Sequence, residues 1–126
     1  MASDMTKRNT KGPLVEICDD SGTVVISIEE EYDNGIFLFR VCGSITNEVA
    51  SDFEDEILAV IPLCNAITID LEKTEYISGL ALRALLNAQR LIDKQNGKTM
   101  RLTNCNVGVK DAFKKSGFME ILNIEE

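Results

Sequence analysis

The 126-residue sequence predicts an α/β domain: a small mixed β-sheet, parallel in its core with an antiparallel edge hairpin, packed with helices. Three observations carry this reading. Ala66-Ile67-Thr68-Ile69-Asp70-Leu71 is β-branched and alternating, as a buried strand is. It passes through a short acidic loop, residues 72–77, into the Leu/Ala-rich run of residues 78–86, which makes half of a βαβ unit. Asn34-Gly35 stands between two alternating apolar runs, the strongest short hairpin signal. From there strands alternate with helical patterns, which implies parallel pairing.

Taken in order, residues 1–12 are polar, mixed in charge and expected to be disordered. Leu14-Val15-Glu16-Ile17 is compatible with a short extra strand, returned by Asp19-Asp20-Ser21-Gly22 against residues 24–28. Residues 1–22 thus read as a partly disordered N-terminal extension and 23–126 as the domain proper. Residues 24–30 and 36–42 form the hairpin through Tyr32-Asp33-Asn34-Gly35. Gly43 is expected to break the second strand, and Thr46 or Asn47 to cap the first helix. In that helix Val49, Phe53, Ile57 and Val60/Ile61 recur at helical spacing, while Glu48, Asp52, Asp55 and Glu56 make the polar face. Acids near a helix start favour its dipole, and Pro62 stops the helix.

Ser78 is a good N-cap for the second helix, Gly79 to about Gln95, which Asn96-Gly97 ends. Ala81, Leu85, Ala88 and Ile92 form its buried stripe; Arg83, Asn87, Arg90 and Lys94 form the opposite one. Residues 99–103 are the next strand. Residues 107–116 are a shorter helix with Val109, Ala112 and Phe113 inward and Gly117 at its end. Residues 121–124 fit a last strand or a single helical turn.

Thirteen Lys and Arg against 21 Asp and Glu leave a net charge of −8, which argues against nucleic acid or an anionic membrane as partner. The sequence has no histidine, and so lacks the commonest general base and transition-metal ligand. Cys18, Cys42, Cys64 and Cys105 form no C-x-x-C motif; Cys42 and Cys64 read as buried small hydrophobes. A reduced, cytoplasmic setting follows as the expectation, since no apolar run approaches a membrane span and the start lacks a signal-peptide apolar region. No enzymatic activity, cofactor or metal is expected.

Candidate sites follow from position. The bare amides of a first helical turn attract anions, which singles out Ser78-Gly79. Asp70 ends a central strand, where a response-regulator receiver carries its phospho-accepting aspartate. Glu29-Glu30-Glu31 could mimic the receiver's acidic pair, but no lysine answers to its later one, so Asp70 reads as fixing its loop by hydrogen bonds. Glu72 and Glu75 have no nucleophile beside them and read as solvated loop charges. Gly108 and Gly117 match no nucleotide motif. Arg83, Arg90 and Lys94 make a basic stripe on an acidic protein, either a solvated face or a docking face; Arg90 is placed to pair with Asp93 at i, i+3.

Asp70-Leu71, Tyr76-Ile77 and Leu82-Arg83-Ala84-Leu85 fall at the spacings of Asp-Leu, aromatic-Ile and Ser-Ser-x-Gly-Leu-x-x-Leu in the STAS domain of the anti-sigma-factor antagonists, a family this stretch resembles. Val41-Cys42-Gly43-Ser44-Ile45-Thr46 resembles the family's strand-Gly corner, and Ser116-Gly117-Phe118-Met119-Glu120-Ile121-Leu122 its ending; the resemblance spans about residues 24–124. It implies a STAS-like fold and a non-enzymatic module that binds an anti-sigma factor or serine kinase and regulates transcription without touching DNA. It also implies a contact surface of Tyr76, Ile77, Ser78, Gly79, Leu80, Arg83, Asn87 and Arg90, on a monomer or weak homodimer. The serine that the partner kinase phosphorylates in the antagonists falls at Gly79, which has no hydroxyl; the possible substitute is Ser78, and the family's next glycine is Ala81. An accessory subunit of a stressosome-like or transporter-associated assembly is the alternative that Gly79 leaves open.

Overall fold

The computed structural model describes residues 9–11 and 14–125. Its strands are β1 Asn9–Lys11, β2 Leu14–Cys18, β3 Val24–Asp33, β4 Ile36–Ile45, β5 Ala66–Asp70, β6 Thr74–Ile77 and β7 Thr99–Thr103. Its helices are α1 Asn47–Val60, α2 Gly79–Asp93 and α3 Val107–Ser116, with short 3-10 turns at Ile61–Leu63 and Phe118–Glu120. The sheet runs β1-β2-β3-β4-β5-β7, and β6 also pairs with β4. β1 to β4 form an antiparallel meander, whereas β4–β5, β4–β6 and β5–β7 are parallel.

The hairpin forms as its Asn-Gly requires. β3 and β4 are joined by Asn34 at φ 51° and Gly35 at φ 83°, and two successive positive φ values are what the right-handed twist of a two-residue hairpin demands. The carbonyl of Gly35 then accepts from the amides of Asn65 at 2.7 Å and Ala66 at 3.2 Å, fixing the start of β5 beside the turn.

Register divides the sheet into two faces. Val15, Ile28 and Val41 lie in one cross-strand row, and Phe39, Ile69 and Leu102 in another; all are buried against the helical layer. With Phe53, Leu85 and Phe113 they form one contiguous core, each large side chain worth about 1.5–3 kcal/mol of burial. Neighbouring rows, such as Leu14, Glu29, Arg40, Asp70 and Thr103, point the other way and are exposed or half-buried.

Several expectations need correction. Gly43 does not end its strand: β4 continues to Ile45, and Gly43, at φ 112°, marks an irregularity where β4 changes partner from β5 to β6. A Cβ there would lie 2.5 Å from the carbonyl oxygen of Val25, so only glycine fits. Residues 72–77 are not all loop, since Thr74–Ile77 is β6, held where the Thr74 hydroxyl donates to the Val41 carbonyl at 2.8 Å. Cys42 is exposed, because it shares the outward parity of Arg40; Cys64 is buried, and burial pushes its thiol up. Glu56 is only 6% exposed, since it continues the inward stripe Val49, Phe53 and Val60.

The remaining elements largely follow the pattern. Asn9–Lys11 adds a strand where disorder was expected; residues 1–8 and 12–13 lie outside the described residues. Leu14–Cys18 is the extra strand, returned by a turn in which the Asp19 carboxylate accepts from Ser21 and Thr23. α1 gives way at Pro62 to a 3-10 turn, and α2 ends at Asp93, two residues before Gln95. Asn106, absent from the expected caps, caps α3 by accepting from Val109 N at 2.8 Å, and Gly117 ends it in the left-handed region. The C-terminal segment contributes one parallel bridge, Leu102 to Ile124, rather than a strand or a helical turn.

Candidate functional site: the start of the second helix

β6 delivers the chain to α2 with no slack. The Ser78 amide donates to the Ile45 carbonyl at 2.9 Å, continuing the ladder from β4, and Ser78 keeps an extended backbone at φ −82°, ψ 169°. Its hydroxyl accepts from Ala81 N at 3.1 Å, as an N-cap does. One residue on, Leu80 N is held at 3.3 Å by the side-chain oxygen of Asn47, the first residue of α1. The two helix starts are thereby tied together, and further along Asn87 Nδ2 donates to Glu54 Oε2 at 3.3 Å with the same sequence offset of 33. An equal offset at both points means that α1 and α2 run parallel, side by side.

The residues of the expected contact surface divide by direction. Ile77 and Ser78 are buried at 4% and 3% exposure and hold the turn from inside. Tyr76 and Leu80 stand out at 54% and 52%, unusually open for large apolar groups, and Val107 at the start of α3 is 86% exposed. Gly79, Arg83, Asn87, Arg90 and Lys94 are exposed. A Cβ built on Gly79 meets nothing within 4 Å, so position 79 opens to solvent while position 78 faces the core. Among the described residues the side chains of Arg83 and Arg90 have no hydrogen bond or ion pair. The expected Arg90–Asp93 pair does not form; Asp93 accepts from Gln89 Nε2 at 2.9 Å instead.

The rival candidates are spoken for. Asp70 Oδ1 accepts from Glu72 N at 3.0 Å and Asn104 Nδ2 at 3.1 Å, fixing the loop after β5 as the sequence suggested. Glu29 and Glu31 hold Arg40 at 3.6 and 3.2 Å, and the hydrogen bond that Arg40 donates to Glu31 raises the guanidinium above its ordinary value. Glu72 and Glu75 are exposed. A hollow of about 490 Å³ that no local motif marks lies on the open sheet face, lined by Leu14, Glu29, Arg40, Cys42, Asp70 and Lys73 among others. It lies where β4 passes from β5 to β6, a feature set by long-range pairing. No helix among the described residues is long and apolar enough to cross a membrane.

Family comparison agrees with this architecture. Residues 27–126 match the model of the STAS domain, and the chain belongs to that family. An anti-sigma factor antagonist from Mycobacterium paratuberculosis has a similar fold at 19% identity and a TM-score of 0.71, over 79% of this chain and 84% of that one. The cell fate determinant SpoIIAA of Bacillus, in its phosphorylated form, aligns at 15% identity and a TM-score of 0.61, over 79% and 91% of the two chains. A sulfate transporter family protein from Wolinella succinogenes aligns at 18% identity and a TM-score of 0.59, over 82% and 79%. No curated protein matches the chain in sequence.

Proposed function

We propose that this chain is a non-enzymatic, cytoplasmic docking module of the anti-sigma-factor antagonist kind, which binds an anti-sigma factor or serine kinase through the α2 face and thereby controls release of a sigma factor. The observation that carries this reading is the turn into α2. Exposed Tyr76, Leu80 and Arg83 surround an open position 79, while the neighbouring hydroxyl of Ser78 is turned inward and used as a cap. Large apolar groups beside an arginine free of any partner among the described residues are the kind of surface that protein interfaces favour. Because Gly79 offers no hydroxyl, the module stays in its unphosphorylated form and its docking surface is always available. A phosphate, which would add about −2 charge beside Arg83, is never placed there.

Gly79 and the fold shared with a sulfate transporter family protein favour one second reading, an accessory STAS subunit of a stressosome-like or transporter-associated assembly. A pull-down from the native cell separates the two: a copurifying serine kinase of the anti-sigma type supports the first, a scaffold or transporter the second. With the partner in hand, Arg83→Glu should weaken binding by calorimetry at least tenfold and leave the fold intact, since an exposed charge contributes little to stability. Unchanged affinity would return Arg83 to a solvated face.

A further inference from the structure

The hollow on the open face of the sheet originates in a break in strand pairing. β5 ends at Asp70, in register with Arg40 of β4, and β6 begins at Thr74, in register with Gly43. Between them Val41 and Cys42 have no strand partner on that side. The chain bypasses them through residues 71–73, and this bypass is held at three points. Leu71 N donates to the Thr103 carbonyl at 2.9 Å, Glu72 N to Asp70 Oδ1 at 3.0 Å, and Gly43 N to the Lys73 carbonyl at 3.0 Å. Leu14, Glu29 and Arg40, one from each of three successive strands, line the same hollow, with Ser27 and Cys42 in the next outward row. Its volume of about 490 Å³ lies within the range of small-molecule sites, about 300–1,000 Å³.

The charges around this hollow are unevenly satisfied. Arg40 is balanced by Glu29 and Glu31. Asp70 uses Oδ1 for both Glu72 N and Asn104 Nδ2, and its Oδ2 has no partner among the described residues. The Lys73 ammonium and the Glu72 carboxylate likewise have no hydrogen bond or ion pair among the described residues. One unanswered cation and two carboxylates with unused oxygens thus border one cavity, beside the half-buried Leu14. We infer that the hollow binds a zwitterionic α-amino acid with an apolar side chain. Lys73 takes its carboxylate, Asp70 and Glu72 take its ammonium, and Leu14 takes its side chain. A simple anion is opposed, because Glu29, Asp70 and Glu72 outnumber Arg40 and Lys73 in the lining. A simple cation leaves Lys73 unanswered. Walls already fixed by hydrogen bonds lower the ordering cost of binding. The hollow lies on the sheet face turned away from the helices, so a bound amino acid leaves Tyr76, Leu80 and Arg83 uncovered, and the two surfaces act independently.

Amide NMR of the isotope-labelled full chain tests this with three probes. They are leucine, leucinamide, which lacks the negative charge, and N-acetylleucine, which lacks the positive one. Leucine at millimolar concentration should shift the amides of Cys42 and residues 70–73 saturably, and should slow alkylation of Cys42 by iodoacetamide. Leucinamide should bind more weakly and N-acetylleucine not at all. Lys73→Met should weaken leucine binding about tenfold, as the loss of a hydrogen bond to a charged group does, and leave leucinamide binding unchanged; circular dichroism checks that the variant is folded. The site is overturned by any of four results: no saturable shift with leucine, equal binding of the three probes, shifts confined to other parts of the chain, or a Lys73→Met variant that binds leucine as the wild type does. Each would make Lys73 and Glu72 solvated surface charges. None touches the partner reading, which Arg83→Glu tests separately.

Discussion

Removing the hydroxyl of Ser78 is the sharpest perturbation of the turn on which α2 is built. Ser78→Ala deletes the bond to Ala81 N, 3.1 Å long and made by a side chain only 3% exposed. N-cap losses cost about 1 kcal/mol, within roughly 0.5–2, and a buried amide that water cannot readily reach belongs in the upper half of that range. We expect about 1–2 kcal/mol in urea unfolding, with an unchanged m-value, and a Tm lower by about 4–8 °C for a domain of this size. Asn47→Ala removes the neighbouring bond to Leu80 N, which is longer at 3.3 Å and exposed, and should cost about 0.5 kcal/mol. Both bonds fix one turn, so the double variant should depart from additivity by about 0.5 kcal/mol. A loss under about 0.3 kcal/mol for Ser78→Ala would mean that its hydroxyl is not committed to the cap.

Two further outcomes test the packing. Leu85 is fully buried in the middle of the α2 stripe, so Leu85→Ala should cost about 2–5 kcal/mol by urea melt; under about 0.5 would misplace the helix. Among the thiols, exposed Cys42 should react with iodoacetamide far faster than Cys64, which is 6% exposed and whose thiol burial raises, so that less of it is thiolate at any pH below its own pKa. Equal labelling rates in mass spectrometry would contradict the outward parity of Cys42.

Much of this was legible because local rules and the global fold agree. Asn34-Gly35 dictates its own turn, Ser78 announces a cap, and the spacing of Ala81, Leu85, Ala88 and Ile92 fixes the inner face of α2. The same rules cover Cys42 and Glu56: Cys42 lies off the inward alternation Phe39-x-Val41, and Glu56 lies on the 49–53–56–60 stripe. β6 was not readable. Lys73-Thr74-Glu75-Tyr76 has no clear alternation, and it pairs with the part of β4 that follows the irregularity at Gly43, 30 residues upstream in sequence. The hollow on the open face shares that origin. At the candidate site, the residue types that oppose phosphorylation could be read directly, but the opposite directions of positions 78 and 79 needed the three-dimensional turn.

The central claim is that the docking turn carries no phosphoserine because its open position is Gly79 and its one serine hydroxyl is turned inward. Intact-mass spectrometry after incubation with a serine kinase of the anti-sigma type tests it most directly, on wild type and Gly79→Ser together. The substitution is sterically free, since a Cβ at 79 meets nothing within 4 Å, and should gain up to about 0.5 kcal/mol of stability by replacing glycine in a helix. The account predicts no added phosphate on the wild type and one on Gly79→Ser, located at position 79. Stoichiometric phosphate on wild-type Ser78 would contradict it, showing that the cap opens to the kinase and that the switch has moved by one residue.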